Sequence, residues 1–235
     1  DMLLVPNRLI ASGFAIDEAT TLYGYLAGMA QPLILLATIP TTSLAVSLVP
    51  AVSEAFTLGD KEGIAKKAAM AMKLCCLITV PAAVGMSVMA EELSLLLYGT
   101  SKAAVAIMHS GPALWLLGMQ QVTTGVLQGM GKINIPMLNM VCGLAAKVCA
   151  VWFLTNVTYN IAGAAWASNI NFGLAALLNI YVLYRFGIKF KWQEIAKVIL
   201  AASLMGVAAH FGYQVLVQAL AHRTLATIGA IGLAA

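Results

Sequence analysis

The sequence predicts an all-α protein, a polytopic bundle of transmembrane helices. Hydrophobic residues make up 61% of the 235 residues and only 9% are charged, whereas soluble domains carry about a quarter charged residues. The mean hydropathy is +0.91. Apolar runs recur along the chain, several of them at or above the length of about 20 residues that one helical crossing of a bilayer requires. We therefore expect a multi-pass membrane protein.

Eight apolar segments follow one another along the chain. They cover residues 1–10, 21–53, 66–90, 103–129, 133–155, 160–184, 193–220 and 224–235. The first is expected to be a partial helix and the last a truncated one, which leaves six complete crossings. Because the chain starts without methionine and stops within an apolar run, we expect a fragment, and we assign all of residues 1–235 to one transmembrane domain.

Prolines interrupt several of these segments. The second segment is too long for a straight crossing and contains Pro32, Pro40 and Pro50, so we expect it to tilt, kink or continue beyond the membrane. Pro81 and Pro112 lie inside later crossings, where they free carbonyl groups that neighbouring helices or water must satisfy. A role in shaping helices and a role as hinges are both open.

The lysines and arginines between the segments predict the orientation. The loops after the second, fourth and sixth segments are the more basic ones, with Lys61, Lys66, Lys67, Lys132, Arg185, Lys189 and Lys191. We therefore place these loops in the cytoplasm, and we place the acidic pairs Asp17/Glu18 and Glu91/Glu92 in outer loops. The net charge of +4 reflects this loop bias, so we expect no nucleic-acid partner.

Motifs for catalysis or cofactor binding are missing from the sequence. "GMGKIN", residues 129–134, lacks the spacing and the Ser/Thr of a phosphate-binding loop. The four cysteines and three histidines have neither zinc-ligand spacing nor a redox CxxC. We expect no cofactor, no metal ion and no enzymatic activity. "GYLAG" at 24–28 and "GVLQG" at 125–129 have the spacing of small residues that lets helices approach closely.

One lysine, Lys147, lies deep in the apolar run "CGLAAKVCAVWFL" at residues 142–154. It is about 12 Å from the outer end of its helix, and helical side chains lean toward the N-terminus, away from that surface. A lysine at the centre of a bilayer costs about 2.5 to 3.5 kcal/mol on insertion scales. We expect Lys147 to face the protein interior and to have a partner or a task. Snorkelling to the outer head groups is the alternative.

Amides are the other polar side chains within the segments. Single amides in membranes more often form interhelical hydrogen bonds than ligand contacts, and both roles are open here. The candidates for lining a substrate cavity are Gln31, Gln120, Gln128 and Asn169, together with the cation Arg8.

Several longer stretches resemble one transporter family. They are "DMLLVPNRL", "ATTLYGYLAGMAQPLI", "SLAVSLVPAVSEAFTLGD", "VPAAVGM", "GVLQGMGK" and "KVCAVWFL…NIAGAAWAS". The sequence resembles the second half of the stage V sporulation protein B group of polysaccharide transporters. That group is related to MurJ-type lipid II flippases and to the multidrug/oligosaccharidyl-lipid/polysaccharide exporters. The resemblance implies a protein of about fourteen helices in two bundles around a central cavity, with this chain supplying most of the second bundle.

The resemblance also implies roles for individual residues. In MurJ-type flippases an aspartate on the seventh helix binds a sodium ion together with polar residues of the eleventh helix. Asp1 falls at the place of that aspartate, and Lys147 at a position of the eleventh helix. Val151 stands where a second polar ligand would be, so the sodium site is incomplete. An arginine of the eighth helix is replaced by Ala27 or Gly28. We expect Asp1 and Lys147 to form a buried charge pair in which the ammonium takes the place of the sodium ion.

The function implied is that of a flippase in the bacterial cytoplasmic membrane. It would move a lipid-linked saccharide, such as lipid II or a related polysaccharide intermediate, to the outer leaflet by alternating access. Its partners would be this substrate, membrane lipids, a proton or sodium gradient, and the N-terminal half of the same protein. An anionic pyrophosphate needs cations in the cavity, and Arg8 could supply one.

Three other functions are weighed against this. A drug or cation antiporter of the same superfold needs acidic cavity walls, for which only Asp1 and Glu54 are available. A membrane-embedded glycosyl- or phosphotransferase needs paired carboxylates or a metal cluster, and only the two acidic pairs in the expected outer loops qualify. A purely structural bundle leaves Lys147 without an explanation.

Overall fold

The computed structural model describes residues 1–156, 158–190 and 192–220. The expected truncated helix at 224–235 lies outside these residues. The helices, in chain order, are α1 (Leu4–Ala11), α2 (Ile16–Gly24), a π-helical segment (Tyr25–Ala30), α3 (Gln31–Ala37), α4 (Ile39–Thr57), α5 (Lys61–Val88), α6 (Ala90–Tyr98), α7 (Ala104–Gly129), α8 (Asn134–Leu154), α9 (Asn160–Arg185) and α10 (Trp192–Leu220).

The predicted fold class and the multi-pass membrane location are confirmed. Every regular element in the described ranges is a helix, and five helices there are long and apolar enough to cross a membrane. These are α4, α5, α8, α9 and the Trp192–Tyr213 part of α10. α7 is as long as α9 but is not among the five, because polar residues such as Gln120, Gln121 and Gln128 lower its hydropathy. α7 packs against α4, α5 and α9, so other helices of the bundle surround it.

The long second apolar segment is divided, as its prolines predict. It comprises the last turn of α2, the π-helical segment, α3 and most of α4. The break comes at Thr38, whose ψ of 0° ends α3, and Pro40 stands in the first turn of α4, where a missing N–H costs no intrahelical hydrogen bond. In the π-helical segment the carbonyl of Met29 accepts a hydrogen bond of 2.9 Å from the Tyr98 hydroxyl. Pro50, by contrast, lies inside α4 without ending it.

The two acidic pairs do not lie in loops, and that prediction was wrong. Asp17 and Glu18 are in the first turn of α2, and Glu91 and Glu92 are in the first turn of α6. A helix N-terminus carries partial positive charge from its aligned peptide dipoles, and carboxylates there stabilise it. The acids therefore have a structural role in starting two short helices that the hydropathy pattern did not separate from the adjoining segments.

Close packing of α4 on α7 depends on small residues. A Cβ added at Gly125 would lie 2.5 Å from the carbonyl oxygen of Ala45, and one at Gly129 would lie 2.7 Å from the Cβ of Val52. The predicted close approach at 125–129 is thus confirmed. At 24–28 it is wrong, because no atom lies within 4 Å of a Cβ added at Gly24 or Gly28 within the described part of the chain.

Candidate functional site

Lys147 faces the interior of the helical bundle. It is the only charged residue of α8, and it is 7% exposed. The other buried residues of α8 are Pro136, Gly143 and Val151, which recur at intervals of seven and four residues and so form one stripe along the helix. The exposed side of the helix carries Leu138, Leu144, Val148 and Trp152.

Gly143 brings α8 close to α9 one turn before Lys147. A Cβ there would lie 2.6 Å from the carbonyl oxygen of Asn171 on α9, so only glycine permits this backbone contact. The contact turns the stripe that contains Lys147 toward α9 and the interior.

The structure brings the Lys147 and Asp1 side chains together. The Lys147 Nζ donates a hydrogen bond to Asp1 Oδ2 over 2.5 Å, which is a short charge-assisted contact. Asp1 lies just before α1, and Val5 and Leu9 of that helix are buried in the same apolar cluster as Val151. The apolar contacts between α1 and α8 therefore hold the carboxylate beside the ammonium.

A cavity of about 200 Å³ adjoins this ion pair. Its polar lining consists of Asp1, Lys147, Gln31 at the start of α3, Ser110 on α7 and Ser168 on α9. Apolar side chains, Leu26, Ile34, Leu35, Leu117 and Phe172, complete its wall. The cavity therefore combines one ion pair with neutral hydrogen-bonding groups from three further helices. Such a site can hold water or a small polar group.

Arg8 lies apart from this cavity. Its Nε donates a 2.9 Å hydrogen bond to the Trp152 carbonyl oxygen, and its guanidinium carbon stands 4.6 Å from the centroid of the Trp152 ring. Both residues line a separate cavity of about 320 Å³ between α1 and α8. α1 is thus joined to α8 by Asp1 at one end and by Arg8 at the other.

Gln120 and Gln128 line a groove of about 450 Å³ between α4 and α7. Gln121 and Thr124 of α7 and Thr42 of α4 add further hydrogen-bonding groups to it. Gln120, Thr124 and Gln128 follow one another at intervals of four residues, which places them on one face of α7. The groove wall is otherwise apolar, with Ala45, Val46, Val49 and Pro50.

A network of side-chain hydrogen bonds supports this face of α7. Asn139 on α8 donates to Asn179 Oδ1 on α9 over 2.8 Å, and Asn179 Nδ2 donates to the hydroxyls of Thr123 and Thr124 at 3.2 and 3.1 Å. The Gln120 amide reaches Thr124 over 3.4 Å. These hydrogen bonds link α8 to α9 and α9 to α7. They hold the three helices in a fixed relative position, because hydrogen bonds between polar side chains join helices in an apolar environment.

Asn169 is buried between α9 and α7 and does not line these cavities. Its Nδ2 donates to the His109 carbonyl oxygen over 2.9 Å, while its Oδ1 has no hydrogen-bond partner among the described residues. This arrangement is an interhelical bond, the other role that the sequence left open. Among the described residues no group of three or more His, Cys, Asp or Glu side chains is placed to hold a metal ion.

Comparison with known proteins tests the resemblance to a transporter family. No family model matches the chain. Stage V sporulation protein B of Bacillus subtilis (strain 168) is 33% identical over 178 residues, which are 75% of this chain and 34% of that protein. The uncharacterized membrane protein YabM of the same organism is 28% identical over 178 residues, 74% of this chain and 32% of the relative. The lipid II flippase MurJ, also from B. subtilis, is 21% identical over 187 residues, which are 76% of this chain and 34% of that protein.

The three relatives all belong to the polysaccharide transporter/MurJ family. The chain spans about a third of the length of the curated relatives that it matches. The resemblance seen in the sequence is thereby confirmed at the level of the family.

The sequence did not indicate some of the polar residues that the fold brings together. Ser110 and Ser168 line the cavity beside Lys147, and serines in membrane helices are too common to single out from sequence. Thr124 could have been found, because its spacing of four residues from both Gln120 and Gln128 marks a polar stripe on an apolar helix.

Proposed function

We propose that this chain is part of a flippase that moves a lipid-linked saccharide, such as a peptidoglycan precursor, from the cytoplasmic to the outer leaflet. The observation that carries the proposal is the similarity over three quarters of the chain to stage V sporulation protein B and to the lipid II flippase MurJ. Residues 1–235 supply most of one bundle, and an N-terminal half of the same protein supplies the other. Transport proceeds by alternating access of the two bundles, and no covalent bond is made.

The groove between α4 and α7 is proposed to contact the sugar part of this substrate. Its polar groups are amides and hydroxyls, and its lining carries no charged residue. Sugar hydroxyls are neutral donors and acceptors that pair with such groups, and the pairing is selective because an unmatched polar group in an apolar groove is costly. The supporting network through Asn179 holds the stripe of Gln120, Thr124 and Gln128 in a fixed position.

The ion pair of Asp1 and Lys147 is proposed to replace a sodium site. The Lys147 ammonium is a cation tethered to α8, and it already occupies the carboxylate of Asp1. A diffusible sodium ion therefore has no free carboxylate to bind at this place. We expect transport that does not need a sodium gradient, so that a proton gradient or the substrate gradient drives it.

Arg8 is proposed to hold α1 against α8 more than to bind substrate. The guanidinium is occupied by the ring and the carbonyl oxygen of Trp152. The cations that an anionic pyrophosphate needs would then come mainly from the other bundle.

The experiment is transport by the complete protein in sealed vesicles with a fluorescent undecaprenyl-pyrophosphate saccharide. The double variant Gln120→Leu/Gln128→Leu should slow movement about 5- to 150-fold, since it removes two neutral hydrogen bonds of about 0.5 to 1.5 kcal/mol each. Gln193→Leu is the matched control, because Gln193 is exposed at the start of α10 and lies outside the groove. The control should transport at the wild-type rate.

Two outcomes contradict the proposal. Efflux of a cationic dye without movement of the lipid-linked saccharide would favour a drug antiporter. Transport that stops when sodium is replaced by potassium would defeat the tethered-cation role of Lys147 while leaving the flippase function in place.

A further inference from the structure

A second groove, of about 660 Å³, lies between α5 and the start of α10. It shares no lining residue with the cavities described above, and its charged lining consists of Glu62, Lys66, Lys73, Lys189 and Glu194. By the distribution of basic loops, this end of the bundle faces the cytoplasm. The groove therefore opens at the level of the inner head groups.

Two of its lysines are available to an external anion. Lys73 Nζ lies 2.8 Å from Glu194 Oε2, so these two charges largely offset one another. Lys66 and Lys189 are exposed and form no ion pair or hydrogen bond among the described residues. Glu62, in the first turn of α5, is the one other acid of the lining. The groove has an excess of one positive charge by its lining residues, concentrated at its mouth.

Beyond Lys66 the wall of the groove is apolar apart from the Lys73–Glu194 ion pair. Met70, Leu74 and Leu77 of α5 line it and are 65%, 40% and 46% exposed. From Lys66 to Leu77 the helix rises about 16 Å, so the groove runs from the head-group level into the hydrocarbon region. An occupant needs an anionic head at one end and an apolar chain at the other. Free phosphate or a nucleotide would leave the apolar wall uncovered.

We propose that this groove binds an anionic phospholipid of the cytoplasmic leaflet. The phosphate of the lipid lies between Lys66 and Lys189, and one acyl chain covers Met70, Leu74 and Leu77. Basic pockets between membrane helices on the cytoplasmic side are suited to such head groups, because each lysine near an anionic surface attracts it by about 1 kcal/mol. The proposal does not depend on which substrate the protein transports.

The bound lipid would also hold two helices together. α10 contacts α5, and among the bonds that the structure records between them is the exposed ion pair Lys73–Glu194. A phosphate bridging Lys66 on α5 and Lys189 just before α10 adds a second link at the same end. Loss of the lipid should therefore loosen α10 more than the rest of the bundle.

The test is native mass spectrometry of the complete protein, titrated with dioleoyl phosphatidylglycerol or with dioleoyl phosphatidylcholine. We expect the wild type to retain the phosphatidylglycerol at least about tenfold more tightly. The double variant Lys66→Gln/Lys189→Gln should lose about 30-fold of that affinity. Lys61→Gln/Lys197→Gln is the matched control, since both lysines are exposed at the same end, carry the same charge and do not line the groove.

An apolar variant tests the position of the acyl chain. Leu74→Gln/Leu77→Gln should also weaken phosphatidylglycerol binding, although it leaves the charges unchanged. Equal loss in the control and groove lysine variants would overturn the proposal, because it would show a general charge effect. Displacement of the lipid by millimolar inorganic phosphate would overturn it as well, because the site would then bind the anion alone.

Discussion

Two ion pairs of the same chemistry stand at different places in this molecule. Lys147 and Asp1 pair between α8 and α1 with side chains 9% and 29% exposed, whereas Lys73 and Glu194 pair between α5 and α10 with side chains 52% and 38% exposed. The inner pair is separated by 2.5 Å and the exposed one by 2.8 Å. Both join helices that are far apart in the sequence.

The difference lies in what each charge would meet without its partner. An exposed lysine that loses its carboxylate gains water, so the pair contributes little to stability. A buried lysine that loses its carboxylate keeps a charge in an apolar environment, which is far more costly than the attraction it has lost. Burial therefore makes the inner pair a requirement of the fold, while the outer pair is nearly optional.

The largest effect is expected for Asp1→Asn. This change leaves the Lys147 ammonium buried without a counter-charge, and it should lower the free energy of unfolding by about 3 to 5 kcal/mol. Unfolding of the complete protein in mixed micelles, followed as the fraction of SDS rises, measures it. Asp17→Asn is the control, because Asp17 is exposed in α2 and should cost well under half as much. A mild Asp1→Asn phenotype would mean that Lys147 reaches the outer head groups by snorkelling.

Lys147→Met should cost less than Asp1→Asn. The methionine preserves most of the buried hydrocarbon, and the carboxylate left behind is the more exposed partner, so the loss should be about 1 to 3 kcal/mol. The double variant should be more stable than the sum of the two losses predicts, by about 0.5 to 3 kcal/mol. Additive losses in the same SDS titration would contradict a direct pair.

Raising the ionic strength should change the stability contributed by the two ion pairs to different extents. This difference should be smaller than the effects of the substitutions above. Salt screens exposed charges over about 10 Å at 0.1 M, so raising it to 1 M should weaken the Lys73–Glu194 link and leave the buried pair nearly unchanged. Comparing the cost of Lys73→Gln with that of Lys147→Met at both salt concentrations measures this. An equal salt response of the two variants would show that water reaches the inner pair freely.

The smallest effect is expected for Lys73→Gln itself. The change removes one exposed ion pair, and such pairs contribute about 0.2 to 1 kcal/mol. Its unfolding curve should nearly overlap that of the wild type. A loss comparable to that of Asp1→Asn would show that the α5–α10 pair is buried in the complete protein, and the contrast drawn between the two regions would fail.

The sequence alone determined that this protein lies in a lipid bilayer, and hence its fold class. Apolar runs long enough to cross a bilayer leave the backbone no alternative to helices, since its polar groups must bond within each segment. The cost of a lysine in such a run also indicated that Lys147 faces inward. At 100° per residue, however, Leu144 and Val151 share its face, and the structure exposes the first and buries the second.

Only the tertiary structure decided which polar groups meet. Gly143 sets the rotation of α8 through a contact with Asn171, and the α4–α7 groove depends on the approach of Gly125 to Ala45. The break at Thr38 comes from its local backbone conformation, and the helices that begin at the two acidic pairs are stabilised by negative charge in their first turns. Hydropathy records only how apolar each residue is, whereas the neighbours of Lys147, Gln120 and Lys66 depend on helix rotation and spacing, which contacts between distant parts of the chain fix.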